Sequence, residues 1–156
     1  MAKRTLQTLA PFQGSDLRLD YALGGGFFED ADLASERRRF DRDLAVTSGI
    51  ENFTQAVANR LKTRKGELAS LGHPTYGSRH HELIGEPNVD RTRNLVKLYV
   101  LQALRDEPRI ERVLRADVLA EHNPPRDSVR IELTVRVLGA LEPLNLVVPF
   151  SFGVAG

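Results

Sequence analysis

The hydrophobic period of this chain changes at one point, the tripeptide Glu107-Pro108-Arg109. Before it, apolar residues between Thr92 and Arg105 recur at helical spacing over a broad face, which predicts a helix covered by protein on more than one side. Pro108 has no N–H group and disfavours helical backbone at the residue before it, so the helix should end at about Asp106. The chain therefore leaves a helix at a stiff corner.

After the corner the period is two. Aliphatic residues from 129 to 137 alternate with charged or hydroxyl residues, as in a strand with one buried and one solvated face. Further strands are predicted at 110 to 121 and 144 to 152. Three strands in succession predict an antiparallel meander packed against helices, an α+β fold. Pro149 places the last strand at an edge, and an open edge invites another strand.

A second helix is predicted before the corner. Ser48 can cap it with Glu51 three residues on, and the helix should run to Thr63, with Gly66 as its stop. One stripe of this helix is apolar and consists of Ile50, Phe53, Val57 and Leu61. Between 67 and 89, turn residues break the chain around one short helix near 78 to 84.

Residues 1 to 43 differ from the rest of the chain. Pro11, Gly14 and Gly24-Gly25-Gly26 interrupt any period, and only Asp32 to Phe40 could form a short charged helix. Three consecutive glycines lose much conformational freedom when they are fixed. We therefore expect an extended N-terminal arm at 1–43 that orders against a partner, followed by a domain at 44–156. The alternative is a terminus without a role.

Composition excludes several classes of protein. With 22 basic and 21 acidic residues the net charge is +1, which gives no general attraction to nucleic acid or anionic membrane. There are no cysteines, so disulfides and thiolate zinc sites are excluded. No apolar stretch approaches the roughly 20 residues of a membrane span, and no export signal is recognisable. We expect cytoplasmic folding, with no nucleic-acid or membrane partner.

Neither a metal nor a cofactor is predicted from the candidate chemical groups. The histidines are His73, His80, His81 and His122. No two of them have the i, i+4 spacing with an intervening glutamate that a zinc hydrolase uses. A glycosidase pair of Glu67 with Glu82 or Glu107 stays open, because separation in space decides that chemistry. Nothing in the sequence selects such a pair.

The corner itself is a candidate contact between chains. Glu107 and Arg109 are held on a rigid turn, and a planar guanidinium can grip a carboxylate or carbonyls through two parallel hydrogen bonds. A fixed joint between proteins would use such a group better than a flexible lysine. In the alternative, both residues decorate a helix end, where surface ion pairs contribute roughly 0 to 1 kcal/mol.

An ordered series of motifs resembles one family. The motifs are Ser48-Gly49, Asn52, Gln55-Ala56-Val57, Arg60-Leu61, Thr63, Gly66-Glu67-Leu68, Tyr76-Gly77 and Glu107-Pro108-Arg109. They resemble the lysozyme-like baseplate wedge proteins of contractile-tailed phages and contractile injection systems, which include TssE of type VI secretion and a sheath initiator. The similarity covers about Asp41 to Phe152. The long arm departs from the simplest members and favours an injection-particle version over a minimal phage one.

The resemblance implies a structural role. In that family the corner matched by Glu107, Pro108 and Arg109 helps to lock the protein to the wedge core bundle. The last strand would template the sheath by strand addition, through Leu144, Leu146, Val148 and Phe150 here. It also implies six copies in a baseplate that is assembled in the cytoplasm. The departure in the arm leaves open whether the arm binds the inner tube, the central hub or a neighbouring wedge. The predicted function is thus non-enzymatic, and the alternative is a peptidoglycan hydrolase that uses Glu67 or Glu107 as general acid.

Overall fold

A computed structural model describes residues 14–21, 31–37, 41–122 and 126–153 of the chain. The chain divides into two compact units, Met1–Ala56 and Val57–Gly156. The glycine triplet Gly24-Gly25-Gly26 of the predicted arm lies outside the described residues. Among the described residues, neither helix is long and apolar enough to cross a bilayer.

The first unit contains six three-residue strands that form three antiparallel pairs. The strands are β1 Ser15–Leu17, β2 Leu19–Tyr21, β3 Ala31–Leu33, β4 Ser35–Arg37, β5 Arg42–Leu44 and β6 Val46–Ser48. β1 pairs with β6, β2 with β3, and β4 with β5. The three pairs meet at Arg18, Ala34 and Ala45, whose backbones form a closed ring of hydrogen bonds of 2.8–2.9 Å.

The predicted charged helix at Asp32 to Phe40 is wrong where the structure describes it. Asp32 lies in β3 and Ser35–Arg37 is β4, while residues 38–40 lie outside the described part. The segment has residues that suit a helix, but its backbone hydrogen bonds are made to β2 and β5 instead. Pairing with the preceding and following strands overrides local helix propensity here.

Helix α1, Gly49–Lys62, begins directly after β6. The prediction of a helix from about Ser48 to Thr63 is therefore confirmed. Within the first unit, Gln55 fastens α1 to the strands. Its Oε1 accepts from the Leu19 N–H at 2.8 Å, and its Nε2 donates to the Leu17 carbonyl at 2.9 Å.

The second unit contains the rest of α1, two 3-10 turns, a helix and a sheet. The elements are the turns Ala69–Leu71 and His80–Leu83, helix α2 Asp90–Arg105, and strands β7 Ile110–Ala120, β8 Ser128–Val137 and β9 Leu144–Ser151. The sheet order is β7-β8-β9, with both pairs antiparallel. The predicted meander and the α+β class are confirmed.

The core of this unit lies between α2 and one face of the sheet. Val96, Val100 and Leu104 of α2 are buried, as are Val57 and Leu61 of α1. Alternate residues of β8 are also buried: Val129, Ile131, Leu133, Val135 and Val137. The intervening residues of β8 form the opposite face, as period two requires.

Strand β9 is an edge strand, as its Pro149 predicts. The Phe152 N–H donates to the Asp127 carbonyl at 2.9 Å. In an antiparallel ladder alternate residues bond to the same neighbour, so the backbone groups of Phe150, Val148 and Leu146 also face β8. Those of Asn145, Val147, Pro149 and Ser151 face outward. Pro149 therefore occupies a position where a missing N–H removes no bond to β8.

Candidate functional site

The Glu107-Pro108-Arg109 corner encloses a buried carboxylate. Glu107 is only 4% exposed. Its Oε1 accepts a hydrogen bond from Arg109 Nε at 2.6 Å and a longer one from the Arg109 backbone N–H at 3.4 Å. Its Oε2 lies 3.4 Å from Arg60 Nε. One carboxylate thus bridges the corner and α1 within a single chain.

Arg60 is held in place by an aromatic ring as well as by the carboxylate. Its guanidinium carbon lies 4.5 Å from the centre of the Tyr76 ring, a cation–π contact. Arg60 is itself buried, and its Nε makes no hydrogen bond within the described residues. Burial raises the pKa of Tyr76, so the phenol stays neutral beside the arginine.

The electrostatics of the corner keep Glu107 ionised. Burial alone would raise its pKa, but the hydrogen bonds and charge of Arg109, with the charge of Arg60, outweigh burial and lower it. A general acid needs a raised pKa near the working pH. Glu107 therefore does not suit the acid role that the hydrolase alternative gives it.

The structure separates the three predicted wedge-contact residues by exposure. Glu107 faces inward, Pro108 is exposed, and the Arg109 side chain is 27% exposed while it binds Glu107. The exposed surface of the corner thus consists of Pro108 and part of Arg109. Glu107 can act on a partner only by fixing the position of Arg109.

The four residues predicted at the sheath contact point away from the outer surface of the sheet. Leu146, Val148 and Phe150 are buried and Leu144 is half-buried. What β9 offers at its outer edge is backbone, together with the side chain of Val147, which is 60% exposed. Among the described residues, no other strand pairs with this edge.

The other carboxylates of the hydrolase alternative are already engaged. Glu67 Oε2 accepts from the Arg64 backbone N–H at 3.0 Å. Glu82 binds Arg79 through both oxygens, each at 2.9 Å, and this hydrogen bonding lowers the pKa of Glu82. Both glutamates are exposed. Neither has the buried, apolar setting that raises a carboxyl pKa for acid catalysis.

His80 and His81 pack as structural side chains. His80 is 3% exposed, its Nδ1 lies 2.7 Å from Ser78 Oγ, and its ring meets Phe150 edge-on at 4.6 Å. His81 Nε2 donates to the Leu61 carbonyl at 2.8 Å. Burial lowers the pKa of His80 to about 3, so it is neutral at physiological pH. In the part of the chain that is described, no group of three or more acidic or histidine side chains could hold a metal ion.

Arg60 and Tyr76 are members of the corner to which the sequence gave no role. A signal for Arg60 was present: it lies three residues after Val57 and seven after Phe53, on the apolar stripe of α1. A charge on such a stripe needs a buried partner. The carboxylate that pairs with Arg60 is set by a contact between residues 60 and 107, and spacing along the chain does not reveal that contact.

Comparison with known proteins finds one matching family model and solved structures of similar fold. A family model described as baseplate wedge protein gp25 matches residues 47–140, more than half of the chain. A crystal structure of a Geobacter sulfurreducens protein, provisionally named a tail lysozyme, is similar at 25% identity and a TM-score of 0.56, over 65% of this chain and 89% of that one. A chain of the baseplate complex from the type VI secretion system shares the fold, at 22% identity and a TM-score of 0.51, over 65% and 92%. No curated protein sequence matches.

Proposed function

Because the chain belongs to the baseplate wedge protein gp25 family, we propose that it is a structural subunit of a contractile baseplate that joins the wedge to the sheath. In this proposal the corner at Glu107-Pro108-Arg109 is the anchor on the wedge, and the outer edge of β9 templates the first sheath ring. The baseplate would hold six copies. The N-terminal arm, residues 1–43, would contact the inner tube or the hub.

The observation that carries the sheath role is the outer edge of β9. Outward donors at Asn145, Val147 and Ser151, and outward carbonyls at these residues and Pro149, follow from the register with β8. Exposed N–H and C=O groups in a row are the template on which another strand pairs. The buried side chains of β9 fix this strand to the core, so that the edge is presented rigidly.

A non-enzymatic role is part of the proposal. A retaining or inverting glycosidase needs two carboxyl groups in different protonation states. The pKa values of Glu107 and Glu82 are both lowered by arginine, which supports two ionised groups instead. Clearance of purified cell wall by the isolated chain distinguishes a hydrolase from a structural subunit, and we expect no clearance.

A single proline substitution at the outer edge of β9 tests the template role more sharply than removal of the strand does. Removing β9 would expose the core, because Leu146, Val148 and Phe150 are buried. Val147→Pro removes one outward donor and leaves the bonds to β8 in place. Val147→Ala is the matched control, because it trims the same side chain and keeps the N–H group.

We expect Val147→Pro to remain folded and to incorporate into baseplates, while sheaths fail to start. Val147→Ala should give sheaths of normal length. Electron microscopy of particles assembled with each variant measures both steps. Normal sheaths on Val147→Pro baseplates would contradict strand addition at this edge.

A further inference from the structure

The exposed face of the β7-β8-β9 sheet carries charges that are mostly neutralised along each strand. Asp117 lies directly opposite Glu132 in the register. Arg115 pairs with Asp117 two residues along β7, and Arg130 Nε binds Glu132 Oε1 at 2.8 Å two residues along β8. Two carboxylates that face each other are thereby compensated within the chain.

Two bulges in β7 decide which arginines reach this face. Register shifts insert Glu111 and Leu114 as extra residues in β7. Without Leu114, Arg112 and Arg115 would point to opposite faces, because side chains alternate in a strand. With it, both lie opposite exposed-face residues of β8, Arg112 opposite Arg136 and Arg115 opposite Thr134.

The outcome is a pair of facing arginines, Arg112 and Arg136, which we call the arginine row. Both side chains are exposed. In the described residues no carboxylate lies within ion-pair distance of either one, in contrast to their neighbours Arg115 and Arg130. Like charges directly opposite each other in a sheet destabilise it. The row also adjoins the corner, since the Leu138 N–H donates to the Arg109 carbonyl at 2.9 Å.

We propose that the arginine row is a docking surface for an acidic segment of a neighbouring wedge subunit. Two guanidiniums on facing strands offer parallel N–H donors to carboxylates, and such pairs can be bidentate. Binding there would neutralise the repulsion that the free chain carries. This inference rests on the proposed function, because it names the chemistry of the wedge contact.

The surroundings of the row favour carboxylates of a protein over the phosphates of a nucleic acid. Nucleic-acid binding surfaces extend a basic stripe over many phosphates. Here Asp117 and Glu132 lie further along the same face, and they would repel a polyanion that followed the sheet. The chain as a whole has a net charge of only +1. A short acidic segment matches the size of the row.

Arg136→Glu tests the proposal, because it should separate stability from binding. It places opposite charges across the two strands, so the thermal midpoint of the isolated chain should stay the same or rise. Binding to the purified wedge subunits of the same particle, measured by fluorescence anisotropy, should weaken about 10-fold or more at low salt. The control Arg91→Glu makes the same charge change at an exposed arginine on α2 and should bind as the wild type does.

Each other outcome overturns the inference in a recognisable way. If the wild type binds the wedge subunits and Arg136→Glu binds equally well, the arginine row is not the contact, and the proposed function stands. If the wild type does not bind wedge subunits at all, the proposed function fails together with the inference. If a short DNA duplex binds the wild type more tightly than the wedge subunits do, and Arg136→Glu removes only that binding, the row is a phosphate site.

Discussion

Replacing the buried carboxylate of the corner should destabilise the chain itself. Glu107→Gln keeps the shape of the side chain and removes the charge that Arg60 and Arg109 share. Arg109 is partly exposed and can turn toward water. Arg60 cannot do so, because it is buried under Tyr76. Removing one partner of a buried ion pair costs about 3 to 5 kcal/mol, and we expect about 3 kcal/mol since only Arg60 is stranded.

Urea unfolding and a thermal scan measure this loss. For a chain of this size, about 3 kcal/mol corresponds to a fall in the thermal midpoint of roughly 6 to 12 °C. The control is Glu82→Gln, which removes an exposed glutamate from its ion pair with Arg79 and should leave the midpoint unchanged.

The pH dependence of stability gives a second test of Glu107→Gln. The pKa of Glu107 is lowered in the folded chain, so its contribution is complete above the unfolded pKa and is lost as the pH falls through the folded one. The wild type should therefore lose stability below about pH 4.5 by a component that Glu107→Gln lacks. If Glu107→Gln unfolds at the same urea concentration as the wild type, the corner is not held by its charges.

Two further perturbations address the packing of the second unit. The pKa of His80 is lowered to about 3 in the folded chain. As the pH falls, the unfolded chain therefore binds a proton at a higher pH than the folded chain does, and stability should fall between about pH 6.5 and pH 3. By pH 5 the free energy of unfolding should fall by about 2 kcal/mol, which urea titrations measure. His80→Gln should show little of this fall. A Cβ at Gly77, where φ is +99°, would lie 2.6 Å from the Thr63 carbonyl oxygen. Gly77→Ala should lower the free energy of unfolding by at least about 2 kcal/mol more than Gly72→Ala, whose Cβ would meet nothing within 4 Å; equal losses would refute the clash.

The elements that the sequence predicts well are the long ones with a repeated period. Helix α2 and strand β8 each bury one face over ten or more residues, so their periods are readable without knowing what covers them. The six strands of the first unit were not predicted, because a three-residue strand is too short to show a period. The local signal within these strands, helix-forming residues after Asp32, pointed to the wrong structure.

The turn at Pro108 and the edge position of β9 were predicted, but the orientation of the side chains at these places was not. The turn at Pro108 and the edge at Pro149 are local effects of a missing N–H, and the sequence contains them. The direction in which Glu107 points depends on Arg60, and the outward direction of Arg112 depends on two bulges. Both are set by contacts between segments far apart in the chain, which no spacing along the sequence encodes.

In the proposed assembly, these orientations give the corner and the exposed face of the sheet different roles. The charge of Glu107 is paired with Arg60 and Arg109 within the chain. This pairing holds the start of β7 and leaves little of the corner to change on binding. The arginine row and the outer edge of β9 keep groups that the free chain does not satisfy, and in a folded protein such local conflicts mark functional surfaces. If these groups are the binding groups, the subunit would lose little conformational freedom on docking, because a packed core already holds them. In the proposed assembly, its affinity would depend on whether a partner supplies carboxylates at one end of the sheet and a strand at its edge.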